Sequence, residues 1–236
     1  RRKRGVVVDG DFTNAGSVVS SGLMLFNGTT DQTLIPGGAG FSQLEVNNTG
    51  GEGQNRLLIS QDVSVSQLLR LTQGLIRTSP STSLTLSEAA VVQGEGPGRY
   101  VQGNLRVARA NVTGATDFGN GLILNPNGSE LGTVTALRTA GLRTADVSYG
   151  TTTRSMARGI DRIWRLTSTQ APTTAVDLTF SWVADDDNGL TDFDPSQVWQ
   201  QAADDSWFTT TAPADASARS ISTTATSFSS WTVSNA

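Results

Sequence analysis

Short apolar runs alternate with turn residues along the first half of the chain, and this pattern predicts β-strands. Between Phe26 and Val46 the sequence FNGTTDQTLIPGGAGFSQLEV contains two alternating runs, which are bounded by Asn-Gly and by Pro-Gly-Gly. Such residues end strands because they adopt tight backbone conformations that other residues disfavour. The predicted strands of this half are 6–8, 17–26, 32–35, 41–46, 56–59, 63–71, 74–78, 83–86, 89–94 and 100–108. None has the i, i+3, i+4, i+7 spacing of an amphipathic helix.

The arrangement of these strands favours a β-solenoid over a β-sandwich. The strands are short, and regular two-residue hairpin turns do not join them. The segments VSSGLMLFNG, VSVSQLLRLTQG and STSLTLSEAAVVQG repeat one another loosely at intervals of about 20 residues, which is typical of stacked coils. We therefore predict that residues 1–111 form a parallel β-helix, in which inward residues alternate with outward ones and each strand pairs with the coils on either side.

Longer strands and most of the tryptophans follow in the second half. The segment DLTFSWV alternates strictly, with Leu178, Phe180 and Trp182 on one face. The segment VWQQAADDSWF predicts a hairpin with Asp-Asp in its turn, and RSISTTATSFSSWTV predicts a pair of closing strands. This pattern is typical of an antiparallel β-sandwich with an aromatic core. We therefore predict an all-β protein, with an Ig-like antiparallel β-sandwich over residues 112–236.

The tryptophans of this half are expected in the core of the sandwich. Trp164, Trp182, Trp199 and Trp231 lie in alternating strands. Exposed aromatic side chains could bind glycans, but large rings on one face of a half-buried strand usually pack inside. Core packing is therefore the interpretation that we favour for all four.

Composition argues against several classes of function. The chain has 236 residues, no histidine, no cysteine and a net charge of -4. It therefore lacks the commonest general base, the commonest transition-metal ligand and any thiolate. The acidic balance does not suit nucleic acid, and no apolar run approaches the ~20 residues that span a bilayer. We predict a protein that is not an enzyme, has no catalytic residues and no cofactor, does not bind nucleic acid and does not span a membrane.

One acidic stretch, ADDDNGLTDFD, is a candidate calcium site. Asp185, Asp187, Asp192 and Asp194 offer the oxygen ligands that Ca²⁺ prefers. The spacing does not match an EF-hand loop, because Gly189 stands where that loop needs an oxygen ligand. The alternative, which we favour, is a solvated hairpin loop that bends at Asn-Gly.

The order of segments resembles that of a family of surface proteins. The segments GLMLFNGTTDQTL, GGAGFSQLEVNNTGG, VSQLLRLTQGLIRT and VVQGEGPGRYVQGNLRV resemble repeated modules in large secreted, adhesin-like cell-surface proteins of Bacteroidota-type bacteria. The segments GIDRIWRLTSTQAPTTAVDLTFSWVADDDNGL, VWQQAADDSWF and TSFSSWTV are similar to the sandwich module that commonly follows there. The resemblance covers nearly the whole chain and rests on structural motifs. It implies export to the cell surface and supplies no active-site residues.

Together these observations predict a non-catalytic structural module of an extracellular surface fibre or adhesin. The end coils of a solenoid expose unpaired backbone groups, and the sequence GVVVDGDF offers no capping helix. We therefore expect end-to-end assembly through exposed strand edges. The expected partners are other copies of the chain or adjacent modules of the same precursor, and surface glycans are a further class of partner.

Two other functions stay open. One is a polysaccharide-binding or polysaccharide-degrading β-helix, which needs outward aromatic and acidic residues along one wall. Cleavage needs two carboxylates about 5–9.5 Å apart, whereas each glutamate of this chain lies in a different segment. The other is a covalent spacer in a giant adhesin. The basic run Arg1–Arg4 fits either a processing site or the ragged end of a fragment.

Overall fold

The computed structural model describes residues 5–16, 18–142 and 159–235. These residues are all-β apart from one short 3₁₀ turn, which confirms the predicted class. The basic run Arg1–Arg4 lies outside the described residues. The chain forms two compact units, Arg1–Arg106 and Val107–Ala236. The predicted division between residues 111 and 112 lies slightly further along the chain.

The first unit is a β-solenoid, as predicted, and the structure shows that it has about five turns. Its strands are β1 (Val6–Val8), β2 (Phe12–Thr13), β3 (Val19–Phe26), β4 (Gln32–Ile35), β5 (Gly40–Asn47), β6 (Arg56–Ile59), β7 (Val63–Gln73), β8 (Leu75–Thr78), β9 (Ser83–Leu86), β10 (Val91–Gln93) and β11 (Val101–Arg109), the last of which continues into the second unit. Every strand except β2 coincides with a predicted segment, and no end differs by more than two residues.

Two parallel ladders connect the coils of the solenoid. One ladder joins β1, β3, β5 and β7 and continues into β9 and β10, and the other joins β2, β4, β6, β8 and β11. The β3–β5 pair shifts register between Ser20 and Leu23, and the β5–β7 pair shifts between Phe41 and Gln43 and again between Val46 and Asn47. The start of β7 pairs with β9, and its later part pairs with β10.

Equivalent residues of neighbouring coils stack into buried columns inside the solenoid. Met24, Leu44 and Leu69 are aligned across β3, β5 and β7, and all three are buried. Further buried columns are Phe26–Val46–Leu71, Phe41–Val65–Leu86 and Leu57–Ile76–Val101. Each coil adds one apolar residue to a column and depends on its neighbours to bury it, so the stack is stabilised mainly by contacts between successive coils.

The second unit contains two groups of antiparallel strands. Its elements are β12 (Thr116–Asp117), β13 (Leu122–Asn125), β14 (Val134–Ala140), β15 (Arg162–Ser168), β16 (Val176–Ser181), the 3₁₀ turn Ala184–Asp186, β17 (Ser196–Gln201), β18 (Trp207–Thr209), β19 (Ser220–Ala225) and β20 (Ser230–Asn235). One group has the order β14-β15-β20-β17-β18, and the other has the order β12-β13-β16-β19. The two predicted closing strands, β19 and β20, therefore pair in different groups.

Aromatic rings from both groups meet in the core of this unit. The ring centroid of Phe180 on β16 lies 4.9 Å from that of Trp164 on β15 and 5.9 Å from that of Trp231 on β20. Trp182 packs on Phe193, with centroids 5.3 Å apart. The prediction that Trp164, Trp182 and Trp231 are buried is confirmed.

The prediction for Trp199 is wrong, because this side chain lies on the opposite face of its strand pair. In the β17–β20 register Val198 is aligned with Val233, and Trp199 is aligned with Thr232. Val198 and Val233 are fully buried, whereas Trp199 is half-buried. Since side chains alternate across a strand, Trp199 points away from the core that Trp231 enters.

Candidate functional site at the first coil of the solenoid

The first coil leaves one edge of each ladder unpaired within the described part of the chain. Strand β1 is aligned in parallel with Met24–Phe26 of β3, and β2 is aligned with Leu34–Ile35 of β4. Neither strand has a second partner among the described strands. The outward N–H and C=O groups of these edges are therefore available to another strand.

Apolar columns end at this coil with their side chains uncovered. Val6 continues the column of Met24, and it is 51% exposed, whereas Met24 is 3% exposed. Val8 and Phe12 continue two other columns, and both are half-buried. The outward-facing Val7 is 59% exposed. The first coil therefore presents apolar side chains at positions that later coils cover.

A buried glutamine holds the backbone of this coil. The Nε2 group of Gln32 donates hydrogen bonds to the carbonyl oxygens of Val8 at 2.9 Å and Gly10 at 2.7 Å. Its Oε1 atom accepts a hydrogen bond from the Gly28 N–H at 2.9 Å. Gln32 occupies the same column as Leu57, where an apolar residue would form none of these hydrogen bonds. Because Gln32 orders the backbone of the first coil, this strand edge loses less conformational entropy when another strand binds to it.

Carboxylates also tie successive coils together, and the sequence analysis missed them. Three aspartates each accept a hydrogen bond from the backbone N–H of the aligned residue in the next coil, namely Asp11 from Thr33 (2.7 Å), Asp31 from Arg56 (3.0 Å) and Asp62 from Ser83 (2.8 Å). Each aspartate directly precedes a strand. An Asp that stands before an apolar run and recurs from coil to coil is therefore the sequence pattern that could have predicted these hydrogen bonds. Side-chain hydrogen bonds from Arg56 lower the pKa of Asp31.

In the predicted calcium stretch, Asp187 forms an ion pair. The Arg219 guanidinium donates to both carboxylate oxygens, with Nε 2.9 Å from Oδ1 and Nη2 2.7 Å from Oδ2. The Trp182 indole also donates to Oδ1 at 3.0 Å. This pair raises the pKa of Arg219. The oxygens of Asp187 are therefore already engaged by cationic and N–H donors.

The other three predicted ligands lie at the surface. Asp185, Asp192 and Asp194 are exposed, and Asp192 Oδ1 accepts a hydrogen bond from the Asp194 N–H at 3.0 Å. Within the described ranges, no group of three or more Asp, Glu, His or Cys side chains could hold a metal ion. The calcium site stays a prediction. Asp186, which lay outside that prediction, is buried beside Arg162.

Comparison of the chain with protein-family models, with curated proteins and with solved structures finds no match. Among the described residues, no helix has the length and apolar character needed to cross a bilayer. The first coil, with its open strand edge and exposed apolar side chains, is the candidate site in the described part of the chain.

Proposed function

We propose that the chain is a non-catalytic structural module of an extracellular surface fibre or adhesin, which assembles end to end through exposed strand edges. The observation that carries this proposal is the open first coil, where the unpaired edge of β1 lies beside the exposed Val6 and Val7. A free edge of this kind is a template for another strand, and the adjacent apolar side chains are buried when the strand is added.

Addition of a strand at this coil produces a chain of modules. The surface at the first coil differs from the surface that meets it, so the contact is heterologous, and repetition of such a contact without closure builds a filament. The partners are other copies of this chain or adjacent modules of the same precursor. The resemblance to adhesin-like surface modules of Bacteroidota-type bacteria supports an extracellular location.

We also propose that the two strand groups of the second unit are the layers of an Ig-like β-sandwich. The contacts of Phe180 with Trp164 and Trp231 support this arrangement, because rings from one strand group meet rings from the other. Buried aromatic residues between two antiparallel sheets are typical of such sandwiches.

The proposal is tested by the association state of the purified 236-residue chain. We expect sedimentation velocity to show species that grow with protein concentration, and negative-stain electron microscopy to show linear assemblies. Val6→Lys places a charge at the exposed end of the Met24 column and should abolish the concentration-dependent assembly. Ile123→Lys is the matched control, because Ile123 is 44% exposed but lies on β13, which is paired on both edges.

Two results would overturn the proposal. One is a chain that remains monomeric at every concentration. The other is assembly that Val6→Lys leaves unchanged, since the contact would then use a different surface. Circular dichroism melts of both variants establish that each one retains the fold of the parent chain.

A further inference from the structure

The outer face of the β17–β18 hairpin presents two tryptophans that the core does not use. In this pair Trp199 is aligned with Thr209, and Gln201 is aligned with Trp207. Side chains two residues apart on a strand share a face, so these four residues lie together on one face of the hairpin. This is the face opposite the buried Val198. We call these four residues the aromatic face.

The aromatic face offers ring carbon to the solvent. Trp199 and Trp207 are both half-buried, yet the Nε1 atom of each indole is buried and has no hydrogen-bond partner within the described residues. The exposed part of each side chain is therefore carbon. The two tryptophans are diagonal neighbours, and such neighbours have backbone positions about 7–8 Å apart on an antiparallel pair. One extended ligand can therefore contact both.

Polar groups without formal charge border these rings. Gln201 Nε2 donates to Asp205 Oδ1 at 3.1 Å, and Gln197 Nε2 donates to the Thr211 carbonyl oxygen at 3.2 Å. These contacts hold both amide groups and leave their Oε1 atoms without a partner among the described residues. The Thr209 hydroxyl lies on the same face. The rim therefore supplies hydrogen-bond acceptors and a hydroxyl beside apolar carbon.

Charge restricts what this face can bind. Residues 196–209 contain no lysine or arginine, and the only formal charges of this hairpin are those of Asp204 and Asp205 in its turn. A phosphate backbone or an acidic polysaccharide needs cationic side chains, which are absent from this segment. The four side chains of the aromatic face are themselves uncharged, so they suit the uncharged part of a ligand.

We propose that the aromatic face binds a neutral polysaccharide chain. A pyranose ring presents C–H groups on one face, which pack on aromatic carbon, and hydroxyl groups around its edge, which hydrogen-bond to amides and hydroxyls. Trp199 and Trp207 supply the carbon surface, and Gln197, Gln201 and Thr209 supply the polar contacts. The residues of this binding site belong to the second unit and those of the open β1 edge belong to the first, so the inference does not rest on the assembly proposed above.

Affinity electrophoresis of the full chain tests this inference. The native gels contain hydroxyethylcellulose, mixed-linkage β-glucan or galactomannan as neutral probes, and polygalacturonate as the acidic probe. We expect retardation by at least one neutral probe and none by polygalacturonate. Trp199→Ala and Trp207→Ala should each weaken the binding by about tenfold or more. Phe208→Ala is the matched control, because Phe208 is 46% exposed but belongs to the opposite face of β18.

A second measurement does not depend on the folding of the variants. Packing of a sugar against the exposed indoles should shift the tryptophan emission of the unmodified chain to shorter wavelength during titration with the retarding probe. The proposal is overturned if no neutral probe retards the chain or shifts its emission. It is also overturned if folded Trp199→Ala and Trp207→Ala variants bind as the parent does. Loss of self-association in Trp207→Ala without glycan binding would assign this face to a protein contact instead.

Discussion

The Nε atom of Arg162 lies 2.7 Å from Oδ2 of Asp186, and both side chains are fully buried. Arg162 also donates to the Ser181 carbonyl oxygen at 3.1 Å and lies 5.8 Å from the centre of the Trp164 ring. Burial raises the pKa of Asp186, since desolvation disfavours its charged form. The centre of the acidic stretch is therefore part of the core of the second unit.

Removal of one member of this buried pair should be strongly destabilising. We expect Arg162→Met to lower the free energy of unfolding by about 3–5 kcal/mol in urea denaturation, because the buried carboxylate loses the cation that hydrogen-bonds to it. The double variant Arg162→Met, Asp186→Leu should recover much of this loss. Arg70→Met is the control, since the Arg70–Glu45 pair is 3.4 Å long and the Arg70 side chain is 43% exposed, and it should cost less than about 1 kcal/mol. Equal losses in Arg162→Met and Arg70→Met would contradict the prediction.

Acid should weaken the contact between the second and third coils. The pKa of Asp31 lies below its ordinary value of 3.8 in the folded chain, so its ionised form is favoured by folding. The stabilisation of the folded chain by the Asp31–Arg56 pair is therefore complete above about pH 5. It is lost as the pH falls through the lowered pKa that Asp31 has in the folded chain. We expect the free energy of unfolding of Asp31→Asn to decrease less in acid than that of the parent chain. The difference should be less than about 1 kcal/mol, because the pair is partly exposed. Asp9→Asn removes an exposed carboxylate and serves as the control variant.

Gly74 should tolerate no side chain, because the backbone of the preceding coil occupies the space. Its φ is 83°, and an added Cβ would lie 2.5 Å from the Asn55 carbonyl oxygen and 2.9 Å from that of Asn48. Gly53 has a φ of 78° but open space around the same position. We expect Gly53→Ala to cost about 1–2 kcal/mol of backbone strain, and Gly74→Ala to cost a further 1–3 kcal/mol or so from the clash. Chemical denaturation of both variants measures the difference, and equal losses would show that the coils separate easily.

Gln32 should control the order of the first coil. Gln32→Leu removes four hydrogen bonds and leaves the Gly10 carbonyl and the Gly28 N–H without this partner, at about 1–3 kcal/mol for each group that stays buried and unsatisfied. Hydrogen exchange followed by mass spectrometry should show faster exchange in residues 6–13 than in the later coils. Gln43→Leu serves as control, because Gln43 is half-buried and its contact with Gln67 is 3.4 Å long. Uniform exchange across the solenoid would count against this role.

The strand positions were predictable because the signals that define them are local. Turn residues and alternation occur within a few neighbours of each strand, and all strands of the solenoid except β2 were found from them. Strand β2 contains only Phe12 and Thr13, which is too short to alternate. The same local logic placed Leu178 and Phe180 on one buried face of β16.

The orientation of β17 was not predictable in this way. Alternation assigns Val198 and Gln200 to one face and Trp199 and Gln201 to the other, and hydrophobicity favours the face with the tryptophan as the inner one. The register with β20 buries the other face, because Val198 is aligned with the buried Val233. Trp199 is therefore left for the outer face, where it contributes to the proposed glycan site.

By itself the sequence determined the all-β class, the strand positions and the coiling of the first unit, because alternation, turn residues and a loose repeat are properties of neighbouring residues. The tertiary structure decided which charges meet. Asp186 and Asp187 are adjacent in the chain, yet one pairs with Arg162 in the core and the other with Arg219 near the surface, across separations of 24 and 32 residues. Such pairs form only when distant strands pack together, so no local pattern distinguishes a buried ion pair from a metal ligand or a solvated loop.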